Sequence, residues 1–447
     1  MIPDDVPDYE EVEEVVEEEV VVEEPTVPEE PETVLLSPDI PDITEPDLSS
    51  EDPAAPLFAG IPSLDIEDFD PDIQLVEEKV EDLAGGAMVV GVVGAGQGGG
   101  RIAKAFYDLG YKKTVAVNTA QADLALLDVP EAHKLHLDYF KDQGAGKDQQ
   151  RGHAAFRDQS QEIFNKMREI FGENIDRILV CVGVAGGTGG GGVETLIDIS
   201  KRYFTYVGKE NASERVGVVA SLPTDGECAS PVVAKNAKVR VTSLCEKSLG
   251  GEFSPFILID NQKIKKLYPS LTVKQFWPTL NNTVAGLFHV FNVLATQNSE
   301  YTSFDPADYD SILKCGGCMI MGVTTVKNIE KETSISMALK NNLEKTLLAD
   351  GFDLRSAKAA ACIVVGGATM FETTTGLMDS IEYGFDTLGA LTGGAVIHRG
   401  IYEDPAKDKL VAYTMVGGLN DPSKRLDELL KFSVINYTTD LNDVYDG

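Results

Sequence analysis

Residues 184–192, VAGGTGGGG, separate the apolar run RILVCVG from the helix-like segment VETLIDIS. From Ala185 onward only Thr188 carries a side chain larger than a methyl group. So many glycines cost conformational entropy and weaken the start of a helix, and packing alone therefore explains them poorly. Between a strand and a helix, glycines let backbone N–H groups close on phosphate oxygens, where the helix dipole also favours an anion. The stretch predicts a phosphate-binding loop in an α/β sheet.

A second glycine loop lies earlier, in residues 89–100, VVGVVGAGQGGG. An apolar run ends there in G-x-G-x-x-G from Gly94 to Gly99, and helix-like RIAKAFYDLG follows, which is the spacing of a dinucleotide-binding turn. A tight strand-to-helix turn without a ligand is the alternative. A nicotinamide-dependent oxidoreductase would carry Asp or Glu at the end of the next strand, where this chain has Asn118 and Thr119.

Two further features favour a polyphosphate ligand. The sequence contains no GxxxxGK[ST], so an ordinary P-loop NTPase is not indicated. A third small-residue turn, Gly144-Ala145-Gly146, lies between the two glycine loops in the chain. Because the carboxyl ends of parallel strands meet at one edge of a sheet, we expect several loops to surround one polyphosphate there.

From residue 88 onward, short apolar runs alternate with amphipathic stretches. Buried parallel strands are typically β-branched runs bounded by turn residues, as are MVVGVVG, KTVAVN, RILVCVGV, VGVVAS and PFILID. Helix-like segments such as HAAFRDQSQEIFNKMREIF and VETLIDISKRYF separate them, which predicts a Rossmann-like parallel sheet with helices on both faces. Residues 271–297 predict one long, mostly apolar helix, in which Pro278 allows a kink or a later start.

Beyond residue 311 the pattern changes. The runs CGGCMIMGVTTV, AACIVVGGAT, GGAVIHRGIY and LVAYTMVGG predict strands with helices among them near 331–346 and 373–386, and therefore a second α+β domain. The predicted organisation is an acidic Pro-rich arm over 1–87, a nucleotide-binding domain over 88–270, the central helix over 271–297, a loop over 298–311, the α+β domain over 312–419 and a C-terminal tail over 420–447.

The net charge of −35 over 447 residues is concentrated in the arm. Residues 1–87 hold 30 Asp or Glu against Lys79, a net of −29, which leaves −6 for the rest of the chain. Self-repulsion and frequent prolines oppose a packed core, so we expect the arm to be disordered. A short strand or docking peptide formed by its interleaved valines is the alternative. The negative sign disfavours direct nucleic-acid binding.

Neither a membrane helix nor a signal peptide is predicted, because no run approaches about 18 apolar residues and the start is not cationic. We therefore expect a cytoplasmic protein without direct membrane insertion. The six cysteines are scattered, and Cys315-Gly-Gly-Cys318 lacks a second ligand pair. Buried free thiols in a reducing cytosol fit this pattern better than a metal or redox site, and no metal site built from protein ligands is predicted.

Residues 185–191, AGGTGGG, resemble the [SAG]-G-G-T-G-[SAT]-G signature of the tubulin/FtsZ GTPases, with Gly190 in place of the small side chain. The resemblance continues in chain order from residue 88 to about residue 419. It includes a sugar loop, PTDGE, at 223–227, and the long helix, where FtsZ stacks an aromatic on guanine and reads its edge. The resemblance implies that GTP or GDP, with Mg²⁺, is held by Gly94, Gly96, Gln97, Gly98, Gly99, Asn118, Thr119, Gly144, Ala145, Gly146, Gly186, Gly187, Thr188, Gly189, Gly190, Glu227, Asn261, Trp277, Asn281 and Asn282.

Residues 303–309, SFDPADY, resemble the FtsZ synergy loop, Asn-x-Asp-x-x-Asp, with Ser303 in place of Asn. In that family the loop enters the nucleotide pocket of the next subunit, and its acidic residues polarise the attacking water. The resemblance implies that Asp305 and Asp308 are catalytic, a role that suits phosphoryl transfer. The alternative from the residues alone is a helix N-cap with an acidic first turn, and one residue can serve both ends.

The chain departs from the family pattern at several positions. An acidic residue after the second phosphate loop comes only at Asp123, which leaves metal handling open. Pro231 stands where the family's sugar loop has an Arg. Asn282 resembles tubulin rather than the Asp of FtsZ, and a core aromatic is the alternative role for Trp277.

The sequence is thus identified as a divergent tubulin/FtsZ-like GTPase that forms head-to-tail filaments and hydrolyses GTP between subunits. Its long appendage at the front, with a short tail, suggests a phage- or plasmid-borne member acting in cell division or in positioning DNA or virions. The expected partner is the protein itself, and an adaptor could bind the acidic arm or the tail. A scaffold that binds nucleotide without turnover and a dinucleotide-dependent oxidoreductase are the alternatives.

Overall fold

The computed structural model describes residues 86–141, 144–344, 348–404 and 407–435. Nearly all of the predicted acidic arm and residues 436–447 of the predicted tail lie outside these ranges. The expectations for the arm, disorder or a docking peptide, therefore stay predictions. Within the described ranges, no helix is long and apolar enough to cross a membrane.

One ten-stranded sheet runs through the described chain in the spatial order β3-β2-β1-β4-β5-β6-β7-β10-β8-β9. Its strands are β1 Val90–Ala95, β2 Thr114–Asn118, β3 Lys134–His136, β4 Arg177–Gly183, β5 Val216–Leu222, β6 Phe256–Asp260, β7 Cys318–Val326, β8 Ala359–Gly366, β9 Val396–Glu403 and β10 Leu410–Leu419. Strands β1 to β6 pair in parallel, as their continuous apolar runs predict.

Helices cover both faces of this sheet. They are α1 Gly96–Asp108, α2 Gln121–Ala125, α3 Gln149–Asp158, α4 Ser160–Phe171, α5 Thr188–Tyr206, α6 Ala212–Arg215, α7 Asp225–Cys228, α8 Pro231–Leu249, α9 Asn261–Leu267, α10 Val273–Leu294, α11 Pro306–Leu313, α12 Ser334–Glu344, α13 Ala368–Thr373, α14 Leu377–Leu391 and α15 Ser423–Ile435. Successive strand residues point to opposite faces, so Val93 packs in one large core and Val92 in the other. The predicted sheet with helices on both faces is confirmed.

The predicted nucleotide-binding domain and the predicted α+β domain share this sheet through a narrow junction. Strand β7 continues the parallel set next to β6, but the ladder pairs only Phe256 with Cys318 and Ile257 with Met319. Beyond it, β10 runs antiparallel to both β7 and β8, and β9 pairs in parallel with β8. The fold is therefore a mostly parallel, mixed sheet, which confirms the predicted fold class.

Two local features differ from the pattern-based expectation, and a third fixes the start of the central helix. Strand β3 has three residues, too few for a periodic signal. The helix predicted over HAAFRDQSQEIFNKMREIF is two helices, α3 and α4, that meet at Gln159. The central helix α10 begins at Val273, where Thr272 and Gln275 form a capping box, so Pro278 lies inside the helix rather than at its start.

Two neighbouring glycines of α1 are expected to respond oppositely to alanine. A Cβ at Gly99 would collide with the Cys181 carbonyl oxygen of β4, whereas one at Gly100 would meet Leu127 at an ordinary 3.5 Å. Gly99→Ala should lower the free energy of unfolding by about 2 kcal/mol or more through overpacking. Gly100→Ala should leave it unchanged or raise it by up to about 1 kcal/mol through helix propensity. Urea unfolding of both variants measures this, and equal midpoints would contradict the packing role of Gly99.

Candidate functional site

A cavity of about 400 Å³ lies at the carboxyl ends of the central strands, a volume typical of small-molecule sites. Strand β1 lies between β2 and β4 in the sheet, so the chain continues to one side of β1 first and to the other side later. In open α/β sheets this reversal leaves a crevice beyond the strand ends where ligands bind. The glycine loops after β1 and β4 therefore face each other across the crevice.

The two helices that begin at these loops have uncapped N-termini. The N-cap residues Ala95 of α1 and Gly187 of α5 make no side-chain hydrogen bond to the helix, and neither first turn holds an acidic residue. Neighbouring helices α3, α7 and α9, in contrast, are capped by Asp148, Thr224 and Asp260. The free N–H groups and positive dipole ends of α1 and α5 are therefore open to an anionic ligand.

Close backbone approach explains why these loops are glycines. Gly96 has φ +68°, and a Cβ there would lie 3.1 Å from the Gly189 nitrogen of the opposite loop. A Cβ at Gly187 would lie 2.9 Å from both the Ala145 Cβ and the Asp148 nitrogen of the third loop. Any side chain at these positions would push the three loops apart. The loops thus form one continuous backbone surface around the cavity.

Most predicted nucleotide-binding residues line this cavity. These are Gly96, Gln97, Gly98, Asn118, Gly144, Ala145, Gly146, Gly186, Gly187, Thr188, Gly189, Glu227, Asn261 and Trp277. The remaining predicted residues are not among its lining, and several have packing roles. These are Gly94, Gly99, Thr119, Gly190, Asn281 and Asn282.

Two of the predicted residues that do not line the cavity contact its loops, and two others lie on α10. The Thr119 hydroxyl is 2.7 Å from the hydroxyl of Thr188, so it supports a lining residue from behind. A Cβ at Gly190 would meet the Gln149 amide, which itself donates to the Val184 carbonyl. On α10, Asn281 is buried and Asn282 is exposed to solvent.

A short polar network connects the first two loops. The Asp123 carboxylate accepts from the Gln97 side-chain amide at 3.2 Å and from the Asn118 amide at 3.3 Å. The other cavity carboxylate, Glu227, accepts from the Thr224 backbone nitrogen and hydroxyl in a capping box. Across the described ranges, no group of three or more His, Cys, Asp or Glu side chains could hold a metal ion.

Two cations that the sequence interpretation missed also line the cavity, Arg101 and Lys147. The Arg101 guanidinium carbon lies 5.5 Å from the centroid of the Trp277 ring, within range of a cation–π contact. Arg101 directly follows the glycine run, and that position could have drawn attention to it. Both residues bring positive charge to a cavity already lined by helix N-termini.

Helix α15 contacts two further loops of the site through ion pairs of Arg425. Arg425 is buried, and its Nε lies 2.8 Å from the Asp260 carboxylate, which also caps α9. A second guanidinium nitrogen lies 3.2 Å from Asp225. Asp225 lies two residues before the cavity residue Glu227, and Asp260 directly precedes the cavity residue Asn261. The start of the predicted tail is therefore an integral part of the folded body.

The predicted catalytic residues lie outside this cavity. Asp305 is the N-cap of α11 and accepts from the backbone nitrogens of Ala307 and Asp308, at 2.8 and 2.9 Å. Asp308 completes a capping box by accepting from the Asp305 nitrogen at 3.2 Å. The capping role is thus present. Neither Asp305 nor Asp308 is among the described residues that line the cavity.

Glycine loops at the switch point, with uncapped helix N-termini and flanking cations, define an α/β protein built to bind a phosphorylated ligand. Residues 89–269 match the GTPase domain of the Tubulin/FtsZ family, and residues 290–425 match the C-terminal domain of the Tubulin/FtsZ-like, TubZ-like proteins. Together these matches span most of the described chain. The chain belongs to the tubulin/FtsZ family, whose members form filaments and hydrolyse GTP.

Known relatives and solved structures agree with this assignment. A tubulin-like protein CetZ from Pyrococcus abyssi is 23% identical over 76% of this chain and 87% of its own length. A cell division protein FtsZ 2 from Methanocaldococcus jannaschii is 24% identical over 64% and 70%, respectively. The fold matches a GTPγS-form protofilament of TubZ from Bacillus thuringiensis serovar israelensis with a TM-score of 0.66. The two sequences are 20% identical, and the match covers 79% of this chain and 92% of that TubZ chain. The family favours the filament-forming GTPase over the scaffold and the oxidoreductase.

Trp277 gives a direct test of the cavity, because it is the single tryptophan of the chain. We expect GTP and GDP to change its fluorescence emission as a base stacks near the ring, with ATP weaker at equal concentration. Trp277→Ala should weaken GTP binding by about 1–3 kcal/mol, the usual contribution of one stacked base. Calorimetry on the same samples is the control. Tight binding without any change in emission would show that the base lies elsewhere.

Proposed function

We propose that this chain binds GTP and GDP in the cavity, stacks head to tail with copies of itself, and hydrolyses GTP where two copies meet. The pair of uncapped helix N-termini beyond β1 and β4 carries this proposal. Two solved structures of similar fold are GTPγS protofilaments, one of the Bacillus thuringiensis TubZ and one of CetZ2 from Haloferax volcanii. Those descriptions concern the relatives, and they support the same behaviour for this chain.

The phosphates would lie against the backbone N–H groups of α1 and α5, with the Gly144-Ala145-Gly146 turn closing the third side. Lys147 and Arg101 would offset part of the remaining negative charge. Mg²⁺ usually binds phosphate oxygens and water with only one or two protein carboxylates, so a cavity without a metal-binding cluster is compatible with it. Asp123 and the Gln97 side-chain oxygen are the residues that would hold the ion, which would neutralise charge on the phosphates.

The base would lie between Trp277 and the start of α9. Arg101 and Trp277 offer a planar cation and an aromatic face for stacking. Asn261 is buried, and its side-chain oxygen lacks a hydrogen-bond partner in the described structure. An unsatisfied buried acceptor is costly, and the N–H groups on the edge of guanine would satisfy it. Adenine presents an acceptor at the corresponding ring nitrogen, so this arrangement favours guanine.

Hydrolysis would require a second copy of the chain. Asp305 and Asp308 would enter the cavity of the neighbouring subunit and orient a water towards the γ-phosphorus. That water would form the new P–O bond, the bond to the β–γ bridging oxygen would break, and GDP and inorganic phosphate would leave. A contact that uses different surfaces on the two copies repeats without closing, so catalysis and filament growth would share one interface.

A cytoskeletal role in the cytoplasm, in cell division or in positioning DNA or virions, follows from such filaments. Solved relatives include a TubZ described as a plasmid segregation protein. The acidic arm and the end of the tail would then be available to an adaptor protein. Residues 1–85 of the arm and 436–447 of the tail lie outside the described residues, so the adaptor is proposed from their charge and position in sequence.

The capping and catalytic roles of Asp305 can be separated by one substitution. Asparagine caps helices about as well as aspartate, but it cannot supply a negative charge. Asp305→Asn should therefore keep the melting temperature, GTP binding and sedimentation of filaments, while phosphate release falls about a hundred-fold or more. Asp305→Ala is the matched control, and it should also lose about 1 kcal/mol of stability with the cap. Wild-type turnover by Asp305→Asn would remove the catalytic assignment.

A further inference from the structure

His398 of β9 connects two residues of α11, one of which is the proposed catalytic Asp308. Its Nδ1 lies 2.7 Å from an Asp308 carboxylate oxygen. Its Nε2 lies 2.9 Å from the Ser311 hydroxyl, one turn further along the same helix. The imidazole side chain is 16% exposed and that of Asp308 is 30% exposed, so the contact is partly shielded from water. Residues 90 positions apart in sequence thus meet at the carboxylate.

The chemistry of the partners fixes the direction of the contact. An ionised carboxylate can only accept, so the Nδ1 atom of His398 carries a proton and donates it to Asp308. The Ser311 hydroxyl lies 2.9 Å from Nε2 and 2.8 Å from the Asp308 backbone carbonyl, and it donates its single proton to Nε2 when that nitrogen carries none. The imidazole ring is therefore held from both sides and presents Nδ1–H to the carboxylate.

Both oxygens of Asp308 are engaged as a result. One accepts from His398, and the other accepts from the Asp305 backbone nitrogen at 3.2 Å. These two bonds, from a strand and from the helix start, fix the carboxylate plane. Asp305 is oriented differently, because one of its oxygens accepts from two backbone nitrogens of its own helix turn. Asp308 thus depends on a distant side chain for its orientation.

We infer that His398 is a positioning residue for Asp308 in the hydrolysis at the subunit interface. This inference rests on the function proposed above. Catalytic groups need orientation to within a fraction of an ångström, and a hydrogen-bonded supporting residue provides it. A purely structural role, tying β9 to α11, would instead affect folding or assembly and would not depend on which imidazole nitrogen is replaced.

The test compares amides that mimic either nitrogen. In His398→Asn the side-chain nitrogen falls near the place of Nδ1, whereas in His398→Gln it falls near that of Nε2. His398→Phe keeps the ring and removes both nitrogens. Arg399→Gln is the control, since Arg399 pairs with Glu382 and Asp386 instead. For each full-length variant, phosphate release per subunit in sedimented filaments and the critical concentration for assembly are measured with GTP.

We expect His398→Phe and His398→Gln to lose about ten-fold or more in turnover, as for other supporting residues, with the critical concentration within about two-fold of wild type. His398→Asn should recover most of the turnover, and Arg399→Gln should match wild type. Wild-type turnover in His398→Phe, or equal losses in the Asn and Gln variants, would overturn the inference. If Asp305→Asn also hydrolyses normally, the proposed function fails with it; if Asp305→Asn is inactive, only the positioning role of His398 is lost.

Discussion

The close approach of three backbone loops at the carboxyl edge of the sheet is the constraint on which the rest of the site depends. Gly96, Gly187 and Gly189 bring the loops after β1 and β4 within contact of one another and of the Gly144-Ala145-Gly146 turn. Because no side chain intervenes, the N-termini of α1 and α5 point into one cavity without a cap of their own. The ligand, rather than a side chain, would satisfy those N–H groups.

In the proposed function, a single copy of the chain would be incomplete as a hydrolase. The cavity supplies N–H groups, cations and a stacking surface, but the acidic loop at α11 does not line it. In the proposed filament the neighbour would supply the missing carboxylates, so turnover would report assembly. Two side chains from distant parts of the chain also contact residues at or beside the site: His398 contacts Asp308, and Arg425 contacts Asp260.

Local chemistry determined how far the sequence could predict this structure. The β-branched runs identify the strands, and the glycines predict the loops that line the cavity, because strand burial and close backbone approach each depend on a few adjacent residues. The three-residue strand β3 is too short to leave such a mark. Tertiary packing forms other contacts that no local sequence pattern indicates. These contacts pair Arg101 with Trp277, Arg425 with Asp260, and His398 with Asp308. The proposed catalytic role of residues 303–309 rests on the family resemblance, since their capping pattern alone is common to many helices.

The proposed active site forms between two copies of the chain. Phosphate release per molecule, measured with GTP across a range of protein concentrations and paired with sedimentation of the same samples, tests it most directly. We expect turnover per molecule to stay near zero at low concentration and to rise at the concentration where filaments first sediment. Turnover per molecule that is constant at all concentrations would instead place the whole active site within one chain.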